Sequence, residues 1–516
     1  MSGKFPFVPV RLSLGDILGS AYTDAVRSAR AQVSMDDTSS LKALATRKVD
    51  FYPGRLHTTI SHLLSKVGLA VTPPLNSSAR GASSAGFDAH TRTSAAPLTG
   101  LGPFRIGEDG RLYFTAKSEH YHAPLGHSFP GYQLLEHARL LGIPNATHNN
   151  TRGHVTRLLE MELVRAAAGL PCGASAEKLI ASKRAATPNR VLNLETGSLA
   201  AEAALKMILA RFYKPQGDSP EPKYKGRIPV LIVMGDDEGG LQANYHGTTM
   251  ITQLMRGMWG DLRSALEKQG ALIVRSVRPN NLEELKSVFA QYEKNPYKIA
   301  GFFHELILMN YAGKRLTPAF VKQAYALCKK HDVPTVVDEI QSCIWSPSLF
   351  LFREYGIKPT FVAVGKGFPG GEYPASRILF NASMDNLPQF GALVTNGQEE
   401  IASLSYLVTM RWAEANAAIT SAVGEEYEAT LRDLGDRYSH LVCAIEGRRH
   451  LAGIYFHDLP PAKAFADALN KAGFDISVQT YKAGCPPSAL TKLPLITTKE
   501  MVQFFTGNME AALKGM

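Results

Sequence analysis

The segments TVVDEIQS (residues 335–342) and FVAVGKGFPGG (residues 361–371) decide the fold prediction. Each begins as a short apolar run rich in Val, and each run is followed by a chemically active side chain, Asp338 in the first and Lys366 in the second. Short runs that are apolar throughout are typical of strands buried on both faces of a parallel sheet. Because ligands bind beyond the carboxyl ends of such strands, the two segments predict a binding site as well as a sheet.

The same alternation of short strands and helices continues on both sides of these segments, from about residue 190. The predicted strands are 230–234, 272–277, 299–304, 335–337, 361–364 and 378–380. The predicted helices are 199–211, 282–292, 318–331 and 399–422. This order predicts an α/β fold with a mostly parallel central sheet that is covered by helices on both faces.

The ends of the chain predict smaller units. Two amphipathic helical patterns (14–33 and 55–67) precede a stretch rich in Ser, Ala and Gly at 76–100, which is typical of a linker. A hairpin with Asp109-Gly110 as its turn is predicted at 105–114, and a helix at 151–168. A helix at 461–471 and the capping-box pattern of Thr497 and Glu500 predict a C-terminal α/β lobe. We therefore expect an N-terminal extension at 1–100, part of a small domain at 101–185, a large domain at 186–420 and the rest of the small domain at 421–516.

Composition narrows the class of protein. With 45% hydrophobic and 20% charged residues the chain is typical of a globular protein, and its formal net charge is +10. The basic residues are scattered, which favours anionic small molecules over nucleic acid. The five cysteines form no CxxC pair, so neither a disulfide framework nor a metal site is indicated. We expect a cytoplasmic protein without a signal peptide, since Asp16 and Asp24 interrupt the N terminus, and without a membrane span of about 20 apolar residues.

Two segments have a Thr-x-Gly or Thr-Gly turn directly before a helix. In LETGSLAAEAALKMILARF (194–212) the turn contains Thr196, Gly197 and Ser198, and in LVTNGQEE (393–400) it contains Thr395. The first N–H groups of a helix and its positive dipole end suit a phosphate, to which hydroxyl groups can also donate. The alternative is an ordinary Ser or Thr cap at the start of a core helix.

Two further segments have polar residues next to apolar strands. In GLQANYHGTT (240–249), Tyr245 can lie against a flat heterocycle, and His246 is either a proton-transfer group or a structural histidine. In GFFHELIL (301–308), Glu305 follows an apolar strand. A buried acid is costly unless it is hydrogen-bonded, so Glu305 is either part of a site or has a partner that the local sequence does not reveal.

Asp338 and Lys366 together suit pyridoxal 5'-phosphate. A lysine amine forms a Schiff base with the cofactor aldehyde, and an acid keeps the pyridine nitrogen protonated so that the ring accepts electrons. Gln341, three residues after Asp338, can hydrogen-bond the phenolic oxygen. The alternative for Lys366 is a solvated lysine in a glycine-rich turn.

Taken in order, these segments resemble the class III (ornithine and ω-type) aminotransferases, which are pyridoxal-phosphate-dependent transferases of fold type I. The resemblance runs from about residue 102 to the C terminus and includes LGHSFP (125–130), in which His127 is assigned a structural role. It implies that Gly197 and Ser198 hold the phosphate, that Tyr245 stacks on the ring, and that Glu305, Asp338, Gln341 and Lys366 occupy the family's strand-end positions. It also implies that Thr395 reaches the phosphate of a neighbouring subunit, hence a homodimer with shared sites.

The chain also departs from the family pattern. Leu306 replaces a proline, and Trp345 interrupts a stretch that is often basic-Thr-Gly. Leu490 stands near the position of an arginine that can bind a substrate carboxylate with two hydrogen bonds, and Lys492 is close by.

From the resemblance we predict an aminotransferase that moves an amino group from an amino acid or amine to a keto acid. The alternatives are an aminomutase, epimerase or decarboxylase on the same scaffold, and a catalytically silent binding protein. Residues 1–100 either cover the site or extend a dimer interface.

Overall fold

A computed structural model describes residues 6–147, 150–235, 244–479 and 485–516. The strands are β1 (Arg11–Leu12), β2 (Val49–Asp50), β3 (Pro97–Leu101), β4 (Phe104–Gly107), β5 (Leu112–Phe114), β6 (Arg190–Leu194), β7 (Ile228–Met234), β8 (Ile273–Val277), β9 (Tyr297–His304), β10 (Ile307–Leu308), β11 (Lys314–Arg315), β12 (Thr335–Asp338), β13 (Phe361–Val364), β14 (Ser376–Phe380), β15 (Val442–Arg448), β16 (Leu451–Phe456), β17 (Ser477–Gln479) and β18 (Ser488–Lys492).

The helices follow the same order along the chain. They are α1 (Leu14–Leu18), α2 (Ser20–Ser34), α3 (Thr38–Thr46), α4 (Gly54–Leu64), α5 (Ala85–Asp88), α6 (Ser118–Tyr121), α7 (Gln133–Leu140), α8 (His154–Ala167), α9 (Glu177–Ala181), α10 (Gly197–Leu209), α11 (Met250–Met255), α12 (Gly260–Lys268), α13 (Leu282–Tyr292), α14 (Pro318–Lys330), α15 (Leu351–Glu354), α16 (Glu400–Arg437), α17 (Leu459–Lys471) and α18 (Lys499–Lys514). Short 3₁₀ turns lie at Thr93–Ala95, Pro130–Tyr132 and Ala382–Met384.

A seven-stranded sheet forms the centre of the molecule, in the order β6-β14-β13-β12-β9-β7-β8. Strands β8, β7, β9, β12 and β13 are mutually parallel, so the predicted mostly parallel sheet is confirmed. Strand β14 is antiparallel to both of its neighbours. The connection from β13 to β14 contains no helix, and a parallel return would need a crossover of a dozen or more residues. The carboxyl ends of β6, β12 and β13 therefore meet at one edge.

Most predicted elements differ from the observed ones by one or two residues at an end, and the helix predicted at 282–292 agrees at both ends. The helix predicted at 399–422 instead continues to Arg437 and is 38 residues long. The extension keeps an apolar face with Val423, Tyr427 and Leu431, which are buried. The sequence prediction stopped too early because Gly424 interrupts that face. Strand β6 was not predicted, since its polar residues (Arg190 and Asn193) hide the apolar pattern.

The C-terminal residues form a four-stranded antiparallel sheet in the order β15-β16-β18-β17, which packs against α16 and α17. The closing helix α18 is capped one residue later than predicted, because the side chain of Thr498 accepts from the backbone N–H of Met501 at 3.4 Å. The predicted hairpin at 105–114 corresponds to β4 and β5. The end of the predicted linker is ordered as β3, which pairs with β4.

The N-terminal segment packs into the main core. The ring of Phe7 lies edge-on to Trp412 of α16 at 5.2 Å, and the backbone N–H of Val8 donates to Asn416 Oδ1 at 2.7 Å. The helix predicted at 14–33 is divided into α1 and α2 at Gly19, whose φ is 87°. Within the described ranges, no helix combines the length and the apolar character that crossing a bilayer would require.

Gly424 provides a test of the contact between α16 and the β15–β16 turn. A Cβ atom at position 424 would lie 2.6 Å from Arg449 Cβ and 2.7 Å from His450 Nδ1. We expect Gly424→Ala to lower the free energy of unfolding by about 1–3 kcal/mol, because the overlap outweighs the gain in helix propensity. Urea denaturation would measure the change.

The matched control is Gly507→Ala in α18, where a Cβ would have nothing within 4 Å. That substitution should raise the free energy of unfolding by about 1 kcal/mol through helix propensity alone. If Gly424→Ala raised the free energy of unfolding as Gly507→Ala is expected to do, the close approach at Gly424 would not exclude a side chain at that position.

Candidate active site

A cavity of about 510 Å³ lies at the carboxyl ends of β6, β12 and β13. Eight of the predicted site residues line it: Thr196, Gly197, Ser198, Tyr245, His246, Asp338, Gln341 and Lys366. Glu305 and Thr395 do not. The parallel strands bring together side chains that are far apart in the sequence, as expected for an open α/β sheet.

One end of the cavity is formed by the start of α10. Thr196 Oγ1 accepts from the N–H of Leu199 at 3.4 Å, so Thr196 is the helix cap, and Ser198 Oγ accepts from the N–H of Thr248 at 3.0 Å. Both hydroxyl groups thus already bond within the protein. The N–H groups of Gly197 and Ser198 belong to the first turn, which has no intrahelical acceptors. This end of the cavity therefore presents backbone donors and a positive dipole.

The loop that contains Tyr245 and His246 rests against this helix start. Gly247 has a φ of 140°, and a Cβ there would lie 2.7 Å from Ser198 Cα, so a larger residue would push the loop away. The guanidinium of Arg256 lies 4.9 Å from the centroid of the Tyr245 ring. Residues 240–243 of this predicted segment lie outside the described residues.

Asp338 is held by two hydrogen bonds at the end of β12. His246 Nδ1 lies 2.8 Å from Asp338 Oδ2, and the N–H of Ile340 donates to Asp338 Oδ1 at 3.0 Å. The side chains of His246 and Asp338 are only 1% and 7% exposed. His246 therefore orients the aspartate. This bond favours the interpretation of His246 as a structural histidine over that of a free proton-transfer group.

Glu305 lies behind Asp338, at the end of β9. Its carboxylate accepts from Asn244 Nδ2 at 2.6 Å and from the N–H of Met309 at 3.2 Å. Burial raises the pKa of Glu305 to about 8, and the charge of Asp338 adds to this effect. Asn244 is thus the partner that the local sequence did not reveal.

His246, Glu305 and Asp338 have the separations of a cation site, since their ligand-type atoms lie within 4.8 Å of one another. His246 Nδ1 is already bonded to Asp338, and Glu305 is already bonded to Asn244 and Met309. The cluster is thus internally hydrogen-bonded.

Lys366 follows β13 and has a φ of 34°, a left-handed conformation that is unusual for a residue with a side chain. Burial lowers the pKa of Lys366, while the charges of Glu305 and Asp338 oppose the shift. A lysine with a lowered pKa has a larger fraction of neutral, nucleophilic amine at neutral pH. The strained backbone and the enclosed amine distinguish Lys366 from the solvated turn lysine of the alternative interpretation.

Gln341 lines the cavity beside Lys366 and is buried. Within the described part of the chain, its Oε1 has no hydrogen-bond partner. An unpaired buried acceptor is costly, so this oxygen has an unused capacity to accept a hydrogen bond from a ligand. Thr395 is exposed, in a loop whose Phe390 is 81% exposed, and its own chain does not bring it to the cavity.

The sequence analysis missed several lining residues, notably His122, Tyr373 and Ile340. His122 follows a turn in which Ser118, Glu119 and His120 all have positive φ. The only local signal for His122 was the run of histidines before LGHSFP, and Tyr373 was marked only by the preceding glycine pair. Neither pattern identifies a ligand contact.

Known proteins share both the sequence pattern and the fold. The family model described as aminotransferase class-III matches residues 158–513. The ornithine aminotransferase of Schizosaccharomyces pombe is 28% identical over 198 residues, which are 37% of this chain and 41% of that protein. The ornithine aminotransferase of Halalkalibacterium halodurans is 23% identical over 324 residues, 61% of this chain and 74% of that protein. The chain spans about two-fifths of the length of the first curated relatives that it matches.

Solved structures agree in fold. The ornithine aminotransferase of Toxoplasma gondii has a TM-score of 0.64 at 17% identity, covering 83% of this chain and 92% of that chain. The adenosylmethionine-8-amino-7-oxononanoate aminotransferase of Methanocaldococcus jannaschii has a TM-score of 0.64 at 18% identity, covering 85% and 97%. These matches confirm the predicted fold type I architecture. Because the family model spans more than half of the sequence, the chain belongs to the class-III aminotransferase family.

Proposed function

We propose that the protein is a pyridoxal-phosphate-dependent aminotransferase that moves an amino group from an amino acid or amine to a keto acid, with Lys366 as the Schiff-base residue. One observation carries the proposal. Asp338 and Lys366 follow the adjacent parallel strands β12 and β13, and both line the cavity of about 510 Å³. An acid and an amine that line one cavity match the two polar requirements of the cofactor.

The residues that line the cavity offer a partner for each part of pyridoxal 5'-phosphate. The N–H groups at the start of α10 suit the phosphate, the Tyr245 ring suits the face of the pyridine, and the N–H donors of the Gln341 amide suit the phenolic oxygen. A structure of the Toxoplasma gondii ornithine aminotransferase crystallised with oxidized glutathione has partial occupancy of this cofactor at its active site. When bound, the cofactor supplies an aldehyde that captures amines and a ring that accepts electrons.

Three side chains in and next to the cavity have different acid–base roles in this proposal. Burial lowers the pKa of Lys366, so its amine would be available as the neutral nucleophile that holds the cofactor, and as the group that moves a substrate proton. Asp338, which His246 and the N–H of Ile340 hydrogen-bond, is the acid that would partner the pyridine nitrogen. Burial raises the pKa of Glu305 to about 8, which favours the protonated form of this neighbouring carboxyl group at neutral pH.

We propose that two copies of the chain share their active sites, with Thr395 of one copy completing the phosphate site of the other. The exposed position of Thr395 and the 81% exposure of Phe390 in the same loop support this arrangement. We further propose residues 186–420 as the cofactor-binding domain, with the small domain at 101–185 and 421–516, in a cytoplasmic protein.

Leu490 favours a second candidate function beside transamination. It is buried in β18, and within the described residues no arginine lines the cavity. An aminomutase, epimerase or decarboxylase would use the same lysine and aspartate. Half-reactions separate these functions: in a transaminase an amino donor bleaches the absorbance of the bound cofactor, and a keto acid restores it. Turnover without that reversible bleaching would favour the second candidate.

Covalent trapping tests the role of Lys366. Borohydride should fix the cofactor to wild-type protein at Lys366, as peptide mapping would establish, because reduction makes the Schiff base irreversible. Lys366→Ala should abolish both fixation and activity. The control is Lys499→Ala, an exposed residue paired with Glu426 at 2.7 Å, which should be fixed like wild type. A wild-type protein that takes up no cofactor would exclude the proposal.

Glu305 predicts how stability depends on pH. Burial raises the pKa of Glu305 from its usual value of 4.5 to about 8, so the folded state binds the proton more tightly. The stabilisation is complete below about pH 4.5 and is lost as the pH rises through 8. Glu305→Gln, which mimics the protonated acid, should reduce the loss of unfolding free energy between about pH 6 and 9 by on the order of 2 kcal/mol.

Urea denaturation at several pH values would measure this slope. The control is Glu283→Gln, whose side chain is 81% exposed and which should leave the slope unchanged. A slope identical to wild type in Glu305→Gln would mean that Glu305 is already ionised in the folded protein.

Subunit mixing tests the shared site. Thr395→Glu should repel the cofactor phosphate and inactivate the protein, and Lys366→Ala should inactivate it for a different reason. Refolding an equal mixture should restore activity at about a quarter of the sites, since each mixed dimer has one site with both native residues. Each variant mixed with itself is the control, and a mixture without recovery would argue against Thr395 acting across the interface.

A further inference from the structure

Lys492 is a buried lysine that lies beside the site but does not line the cavity. It ends β18 of the C-terminal sheet and is 0% exposed. Its Nζ donates to the backbone carbonyl of Gln341, and lies 3.5 Å from the centroid of the Trp345 ring. Both Lys492 and Trp345 stand where the sequence departs from the family pattern, so the two departures meet in space.

The backbone of the same residue holds a second segment of the site. The N–H of Lys492 donates to the carbonyl of Ala116 at 2.8 Å, and Ser118 Oγ donates to the carbonyl of Lys492 at 2.6 Å. Ser118 begins the left-handed turn that leads to His122 at the cavity wall. One residue of the C-terminal sheet thus fixes two segments that line the cavity.

Trp345 fixes Lys492 in turn. The indole Nε1 donates to the carbonyl of Leu493 at 2.9 Å, which holds the ring over the Lys492 Nζ atom. Burial lowers the pKa of Lys492 well below its usual range, and the nearby charge of Lys366 acts in the same direction. Burying an amine is costly, so its hydrogen bond to Gln341 is a strong constraint on that peptide unit.

Gln341 connects this hydrogen bond to the cavity, because its backbone accepts the bond and its side chain lines the cavity. Its carbonyl is bound by Lys492, while its side-chain amide, which carries the N–H donors that a phenolate oxygen needs, lies in the cavity wall. The direction of a side chain follows from the orientation of its backbone, so a fixed peptide unit aims the amide.

Resting on the proposed function, we propose that Lys492 is a positioning residue, which holds the Gln341 peptide so that the side-chain amide donates to the phenolic oxygen of the cofactor. Lys492 and Trp345 then act together, as a pair that links the C-terminal sheet to the cofactor-binding turn. The reaction itself does not involve the Lys492 amine.

The test is a pH titration of the absorbance of the bound cofactor. A donor to the phenolic oxygen stabilises its negative charge and lowers the midpoint of the absorbance change. Lys492→Met keeps the length and apolar stem of the side chain but removes the donor. We expect the midpoint to rise by about one pH unit, and Gln341→Leu to raise it similarly. The matched control is Lys499→Met, which should titrate like wild type.

The double variant Lys492→Met/Gln341→Leu distinguishes a relay from two separate effects. If Lys492 acts through Gln341, the double variant should shift no further than Gln341→Leu alone. Additive shifts would overturn the relay, as would a loaded Lys492→Met protein with a wild-type midpoint. A wild-type protein that fails borohydride fixation would instead refute the proposed function.

A second variant applies if Lys492→Met does not fold. Trp345→Phe keeps a ring over Lys492 but removes the bond to Leu493, so a smaller rise in the same direction is expected. Unchanged titration in a folded, cofactor-loaded Trp345→Phe protein would overturn the proposal.

Discussion

The hydrogen bond between His246 and Asp338 is the constraint on which the site depends. A carboxylate buried at the end of a parallel strand is stable only if donors replace its water, and His246 and the N–H of Ile340 supply them. The loop that carries His246 must therefore lie close to β12, and Gly247 permits this by its contact with α10. The aspartate, the histidine loop and the start of the first large helix are consequently fixed as one unit.

The sequence predicted the side chains at strand ends because local patterns identify them. Asp338 and Lys366 follow apolar runs that only a buried strand explains, and their order along the chain implies a common sheet edge. Contacts between distant segments have no local pattern. Asn244 was missed as the partner of Glu305 for that reason, whereas the helix cap at Thr196, which bonds the N–H of Leu199, had been named as an alternative because capping is local.

The N-terminal residues illustrate the same limit in a larger segment. Their amphipathic patterns predicted helices, but no local pattern indicates that Val8, just before those helices, bonds Asn416 of α16 more than 400 residues away. The sequence analysis missed strand β6 and the end of α16, in each case because the apolar pattern is interrupted. Polar residues interrupt the first, and Gly424 interrupts the second, while tertiary packing stabilises both.

The length of α16 has a mechanical consequence. A straight helix of 38 residues spans about 57 Å, enough to run from the seven-stranded sheet to the four-stranded one. Near its start, Ser403 is hydrogen-bonded by Arg377 of β14 at 3.3 Å, and its later turns pack on β15. One continuous helix therefore joins the two sheets, so a change in their relative orientation would require α16 to bend or to break its contacts with one of them.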